Sequence, residues 1–221
     1  MAWYRSDLLV TQSGTVSAWG DSSGSGDVNR NATQATSGLR PTYSASDSNF
    51  NNRPSITSAL ASGRLLQTGT WSVALPQPYT VFAVCRLLSA ATNSYVCDSI
   101  NGGSQSSIYT SVGTDLRAYN GSNSNIAPNF SVAQTGVAIA VMDSANTNTK
   151  IYWSENTPST GNNNGTNGLT GVTFGCYGGG GTSFTDTAYA EFAYYSRALN
   201  STEIAQLNAY AGALYAITIG P

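Results

Sequence analysis

The chain contains no histidine. That absence excludes histidine acid–base chemistry, Ser-His and Cys-His nucleophile pairs, and most transition-metal sites. Charge is scarce too: 9% of residues are Asp, Glu, Lys or Arg, against about a quarter in an average protein. Eight arginines, the lone Lys150 and eleven acids never form a run. The basic footprint that nucleic acids require is therefore missing, as is a patch for an anionic membrane. No apolar segment approaches the roughly 18 residues that span a bilayer, so no membrane insertion is expected. The segment Met1-Ala2-Trp3-Tyr4-Arg5-Ser6-Asp7 lacks the basic stretch and apolar run of a secretory signal, and none is expected. The three cysteines, Cys85, Cys97 and Cys176, are an odd number with no C-x-x-C and no metal-ligand spacing.

What is present is polar, neutral and rich in turns. Ser, Thr and Asn make up about a third of the chain, with 23 Gly, 13 Tyr and 40% hydrophobic residues. This composition belongs to a folded chain rather than a disordered one. Its Asn-x-Ser/Thr sequons at Asn31, Asn120, Asn129, Asn164 and Asn200 read as by-products of that composition. A length of 221 residues suits one large all-β domain or two small ones. With no linker and no internal repeat, one domain over 1–221 is expected.

Short β-rich runs recur between Asn/Gly/Ser turns, as in a sandwich or barrel. Strands are expected at Val16–Trp19, Ser55–Thr57, Arg64–Thr68, Thr80–Leu87, Ser94–Ser99 and Ser107–Val112. Others are expected at Leu116–Tyr119, Val137–Met142, Lys150–Trp153, Val172–Cys176 and Ala188–Tyr195. In Thr80–Leu87 both alternating faces are largely apolar, which places this strand centrally with cover on both sides. A hairpin centred on Ala91 would set Cys85 opposite Cys97, but directly opposed positions suit a disulfide poorly. Buried free thiols are the preferred reading. At the C-terminus Asn200 and Glu203 form a capping-box pair, after which Ile204, Leu207, Ala211 and Leu214 share one helical stripe.

Two blocks bracket the chain. The first is Trp19-Gly-Asp21-Ser-Ser-Gly24-Ser-Gly26 with Ala32-Thr-Gln34, Arg40-Pro41-Thr-Tyr43 and Asn52-Arg53-Pro54-Ser-Ile56. The second is Ala190-Glu191-Phe-Ala-Tyr194-Tyr195-Ser-Arg197-Ala198-Leu199, running into Ser201-Thr-Glu203-Ile204 and Tyr210. Together they resemble the concanavalin A-like, laminin-G-like jelly-roll domains of bacteriophage structural proteins and bacterial surface proteins. The resemblance implies an all-β jelly-roll sandwich of two antiparallel sheets with one short C-terminal helix. The residues themselves read mostly as structural. Asp21 accepts backbone N–H groups in a turn, Trp19 anchors the core or its rim, and the Arg-Pro pairs force extended backbone. Glu191 and Arg197 are expected to tie the last strand to the helix start.

The fold hosts lectins, hydrolases, adhesins and scaffolds, so function must be argued from residues. Glucanases of this superfamily carry E-x-D-x-E on one strand, and no such triplet occurs among Glu155, Glu191 and Glu203. Asp186 and Glu191 are an odd number apart, which on a regular strand turns them to opposite sides. No enzymatic activity is expected. For sugar binding, the candidates are Tyr119 beside Asn120-Gly121 and Tyr177 beside Gly178–Gly181, aromatics flanking glycine-rich turns; packing on their own sandwich is the plainer reading. Asp143-Ser-Ala-Asn146-Thr-Asn148 offers oxygen donors for calcium but reads as an ordinary polar loop. Gly178–Gly181 lacks the Lys-Ser/Thr and strand-to-helix setting of a phosphate cradle. No cofactor and no metal is expected. The resemblance and the neutral surface point to a non-enzymatic structural and adhesion subunit of a virus particle, a bacteriophage capsid decoration or tail-associated protein. Such a protein is made in the host cytoplasm, carried on the virion, and present as a homo-oligomer or in many copies against major capsid or tail proteins. The alternative is a lectin-like module for a host or surface polysaccharide.

Overall fold

The computed structural model describes residues 1–8, 10–89, 93–111, 115–122, 125–127, 130–144, 149–160, 165–178 and 182–221. Its strands are β1 (Ala2–Arg5), β2 (Val10–Gln12), β3 (Val16–Trp19), β4 (Ala32–Thr33), β5 (Thr42–Asp47), β6 (Arg53–Thr57), β7 (Leu66–Gln67), β8 (Tyr79–Leu87) and β9 (Ser94–Ser99). They continue as β10 (Ser107–Thr110), β11 (Leu116–Tyr119), β12 (Asn125–Ala127), β13 (Thr135–Met142), β14 (Lys150–Trp153), β15 (Ser159–Thr160), β16 (Val172–Phe174) and β17 (Thr187–Tyr195), followed by helix α1 (Ser201–Tyr215). No described helix is long and apolar enough to cross a membrane.

The strands form two antiparallel sheets. The first runs β15-β14-β13-β8-β17-β6-β5, with β1 also on β17; the second runs β12-β11-β10-β9-β16-β7-β4-β3-β2. Against β8 the register of β17 shifts between Tyr189 and Glu191, and the opposite edge of β17 serves two partners. β6 pairs with Ala188 and Tyr189, and β1 pairs with residues 191–194. Between the sheets lies one core in which Trp19 and Phe174 meet Tyr4 and Tyr189, and Phe174 meets Phe192. Every expected strand has a counterpart; Val112, at the end of one, lies outside the described residues. β1, β2, β4, β5, β12 and β15 were not expected, because they are short or polar. Pairing to a neighbour makes them strands, and Ala2 and Tyr4 of β1 and Ala32 of β4 also enter the core.

The double burial of β8 is borne out. Val81, Ala83, Cys85 and Leu87 face the inter-sheet core, while Phe82 and Val84 join Val137, Ile139, Ile204, Ala211 and Tyr215 in a second cluster under α1. The hairpin expectation is corrected. Both edges of β8 are filled by β13 and β17, and both edges of β9 by β10 and β16, so the chain crosses between sheets after β8. Ala91 lies outside the described residues. Cys85, Cys97 and Cys176 are free and buried; burial raises the pKa of Cys85 and pushes that of Cys97 up to about 12.

The cap of α1 forms as expected. Asn200 Oδ1 accepts from Glu203 N at 3.0 Å, and Glu203 Oε2 accepts from Asn200 N at 3.0 Å. The inward stripe is Ile204, Asn208, Ala211 and Tyr215, with Leu207 and Leu214 half-buried beside it. Asn208 can face inward because its amide donates to the Glu155 carbonyl at 2.7 Å. Tyr215 can do so because its hydroxyl donates to Glu191 at 2.8 Å.

Glu191 and Arg197 both tie the end of the last strand to the helix, as expected, each through its own partners. Arg197 binds Glu203 with both guanidinium branches, at 2.7 and 2.6 Å, and so fixes the helix start. Glu191, 2% exposed, accepts from Trp3 Nε1 at 2.6 Å, Tyr210 OH at 2.9 Å and Tyr215 OH at 2.8 Å. One carboxylate thus joins β1, β17 and the far half of α1. Burial and this negative charge raise the pKa values of Tyr210 and Tyr215, keeping both hydroxyls as donors. Glu191→Ala leaves three donors without their acceptor and should cost about 3 kcal/mol of unfolding free energy. Urea titration checks this, and an unchanged midpoint would show that the three bonds add nothing to stability.

Candidate functional site

The outer face of the first sheet is occupied by α1, the one α-helix among the described residues, so the outer face of the second is left to strands and turns. Strand alternation sets what that face carries. In β10, Ile108 enters the core and Tyr109 turns outward; in β11, Leu116 and Ala118 enter while Arg117 and Tyr119 turn out. Tyr109 pairs directly with Tyr95 of β9, and Tyr119, opposite Ser107, is its diagonal neighbour. Tyr177 follows β16, the other partner of β9.

These four rings make a continuous ladder. Tyr177 meets Tyr95 edge-on at 5.3 Å, Tyr95 stacks on Tyr109 at 5.2 Å with planes 15° apart, and Tyr109 meets Tyr119 edge-on at 6.3 Å. Tyr95 is buried and the other three are half-buried. A hollow of about 50 Å³ opens between Tyr95, Gln105, Ser107, Tyr109 and Tyr119. The two sequence-predicted residues, Tyr119 and Tyr177, are the ends of this ladder. Tyr95 and Tyr109, which join them, were missed. Both lie in expected strands, and only the pairing of β9 with β10 brings them together.

The ladder is braced from below by Asp98, a fully buried acid that composition alone did not single out. Its Oδ1 accepts from Ser99 N at 2.8 Å and Ser106 N at 3.0 Å; its Oδ2 accepts from Gly178 N at 2.9 Å. Tyr177 OH donates to the Gly102 carbonyl at 3.0 Å, and Gln105 Nε2 donates to Tyr95 OH at 3.4 Å. The carboxylate therefore pins the turn after β9 and the segment carrying Tyr177 to one position. Burial pushes the pKa of Asp98 up to about 6 despite those three N–H donors, and that of Tyr95 up to about 12.

The remaining expectations separate by location. Asp21 accepts from Trp3 N at 2.8 Å and Ser23 N at 2.9 Å, the turn role expected of it. Asp186 lies before β17 and accepts from Leu60 N and Ser89 Oγ, while Glu191 is sealed beneath α1. The bulge in β17 breaks the parity argument, and neither acid faces the ladder. Of the polar loop Asp143–Asn148, residues 145–148 lie outside the described residues, as do 179–181 of Gly178–Gly181 and the sequons at Asn129 and Asn164. Among the described residues no cluster of three His, Cys, Asp or Glu could hold a metal. Asn120 is fully buried, and Asn200 is the helix cap.

No family model and no curated protein sequence matches this chain. Solved structures do match. The Botulinum Neurotoxin Type G receptor binding domain aligns with a TM-score of 0.64 and 12% identity, over 95% of this chain and 51% of that one. Trypanosoma rangeli sialidase, in complex with the inhibitor DANA, aligns with a TM-score of 0.59 and 13% identity, over 94% of this chain and 32% of that one. The chain thus spans about half the length of the toxin domain and about a third of the sialidase. These likenesses show the fold, a jelly-roll-like β-sandwich.

The raised pKa of Asp98 makes stability depend on pH with a defined sign. The folded state holds this proton more tightly than the unfolded one, so the stabilisation is complete below the ordinary value of 3.8 and is lost as pH rises through about 6. Relative to Asp98→Asn, unfolding free energy should fall by about 3 kcal/mol between these limits. Urea titrations of both proteins across the window test this, and parallel pH profiles would refute it. Glu203, lowered to about 2 by Arg197 and the Asn200 N–H, acts in the opposite sense and mostly at lower pH.

Proposed function

We propose that this chain is a non-enzymatic structural and adhesion subunit that attaches to carbohydrate through the tyrosine ladder. The observation that carries the reading is the ladder itself: four aromatic rings on the sheet face that α1 leaves open, spaced 5.2–6.3 Å apart. Sugar rings present C–H faces that pack on aromatic carbon, and hydroxyls that bond tyrosine OH groups and nearby amides. Because the tyrosines are fixed by one another and by the loops that Asp98 pins, little side-chain entropy remains to be lost on binding. The concanavalin A-like, laminin-G-like resemblance of the two end blocks agrees with this reading.

The setting we propose is a bacteriophage particle, where such a subunit decorates the capsid or joins the tail. Its support is the resemblance of the end blocks to phage structural modules. Quantitative peptide mass spectrometry of purified particles, after chymotrypsin digestion, should find the chain at a fixed ratio to the major capsid protein. Absence from particles removes this setting and leaves the adhesion reading standing.

For the ladder, Tyr119→Ala and Tyr177→Ala should each weaken glycan retention at least tenfold, about 1.4 kcal/mol, on whichever members of a neutral-glycan array the parent protein binds. The same substitutions should lower stability by only about 1 kcal/mol, since each removes an end ring. Retention unchanged in both variants would end the ladder reading.

A further inference from the structure

Beside the ladder lies a cleft of about 340 Å³ between the 74–76 segment, the turn after β9 and the 166–170 segment. Its polar lining is Ser99, Asn101, Ser104, Thr166, Asn167 and Thr170, and its apolar part includes Leu75 and Leu169; no ionisable side chain lines it. We propose that this cleft is a second subsite, which takes a terminal or branching neutral sugar of the same glycan whose chain lies on the ladder. The proposal rests on the carbohydrate reading of the ladder.

Three features support it. The first is chemistry: amides and hydroxyls around a small apolar floor match a ligand with many hydroxyls and a C–H face, and nothing in the lining would select an anion or a cation. The second is construction. Leu75 and Leu169 exchange backbone hydrogen bonds at 2.7 and 2.9 Å, and Gln77 Nε2 donates to the Gly165 and Asn167 carbonyls at 3.0 and 2.9 Å. Ser99 Oγ lies 2.8 Å from both the Asn101 and the Ser104 carbonyl oxygens, which share its one proton. A Cβ on Gly168 would fall 2.6 Å from the Leu75 carbonyl oxygen, so only glycine permits this approach of the two walls. The walls are thus held before any ligand arrives, which spares the ordering cost of binding.

The third is continuity with the ladder. Asn167 Nδ2 donates to the Gln105 carbonyl at 2.9 Å, and the Gln105 amide in turn donates to Tyr95 OH. Tyr177 OH braces the other side of the same turn at Gly102. Cleft and ladder therefore share a wall, and one chain long enough can occupy both. Occupying two linked subsites raises affinity with chain length until both are filled.

The test is calorimetric titration of the full chain with neutral laminari- and cello-oligosaccharides of increasing length, and with oligogalacturonates as the acidic comparison. The parent protein should bind neutral members with affinity that rises with length. Thr170→Trp, an exposed rim position whose bulk fills the cleft, should cost the longest members tenfold or more and flatten that rise. Thr166→Trp, exposed on the same rim, serves if the first variant disturbs the loop. Tyr109→Ala should weaken members of every length. If the rim variants bind as the parent does while Tyr109→Ala is weakened, the cleft proposal falls and the ladder reading stands. If the parent binds no neutral member, or neither kind of variant changes binding, both fall. Tighter binding of the galacturonates overturns the neutral class.

Discussion

The first sheet is apolar on both faces, and the rest of the molecule follows from having to cover them. Val81, Ala83, Cys85 and Leu87 of β8 need the second sheet; Phe82 and Val84, with Val137 and Ile139 of β13, need a lid. Helix α1 is that lid, and its apolar stripe alone is short. Glu191 completes the attachment by giving Tyr210, Tyr215 and Trp3 a common acceptor in a buried place. A carboxylate with no acceptor-seeking donors there would be costly, and the same donors without it would be equally so. The polar centre and the apolar cluster are therefore interdependent, and they draw the N-terminal strand, the last strand and the helix into one unit.

Because the described residues hold one α-helix and it sits on the first sheet, the second sheet's outer face is left to its own side chains and turns. That face would be a liability if it were smooth and apolar. It carries instead tyrosines, which pack laterally on one another, with Tyr177 OH bonded to the Gly102 carbonyl and Tyr95 OH accepting from Gln105. Asp98 supports this arrangement at the cost of burying a charge, offset by three backbone N–H donors. The turn it pins serves two surfaces at once, with Tyr177 braced on one side and the polar cleft on the other. Recognition elements built on strands and hydrogen-bonded turns in this way are positioned more firmly than elements on free loops.

Several features could be read from the sequence because their signals are local. The helix cap depends on Asn200 and Glu203, three residues apart. The central place of β8 depends on an uninterrupted apolar run, and the turn at Asp21 on a carboxylate beside serines and glycines. Tyr119 and Tyr177 stood out for a similar reason, as aromatics beside glycine-rich turns. Other features have no local signal. Asn208 and Tyr215 do not belong to an apolar stripe, yet they face inward because Glu155 and Glu191 wait opposite them from distant parts of the chain. β5 reads as a polar loop and becomes a strand because β6 lies alongside.

The sequence by itself determined an all-β, turn-rich chain with one capped C-terminal helix, since strand and cap propensities act within a few residues. It also determined that histidine chemistry is absent, since this depends only on which residue types occur. Only the tertiary structure decided which strands are neighbours. That choice sends β8 and β9 to different sheets, separating what the sequence suggested was a hairpin. It also aligns Tyr177, Tyr95, Tyr109 and Tyr119 into one face. The physical reason is that strand order and register are set by burying apolar area summed over both sheets, a quantity that no single segment of the chain contains.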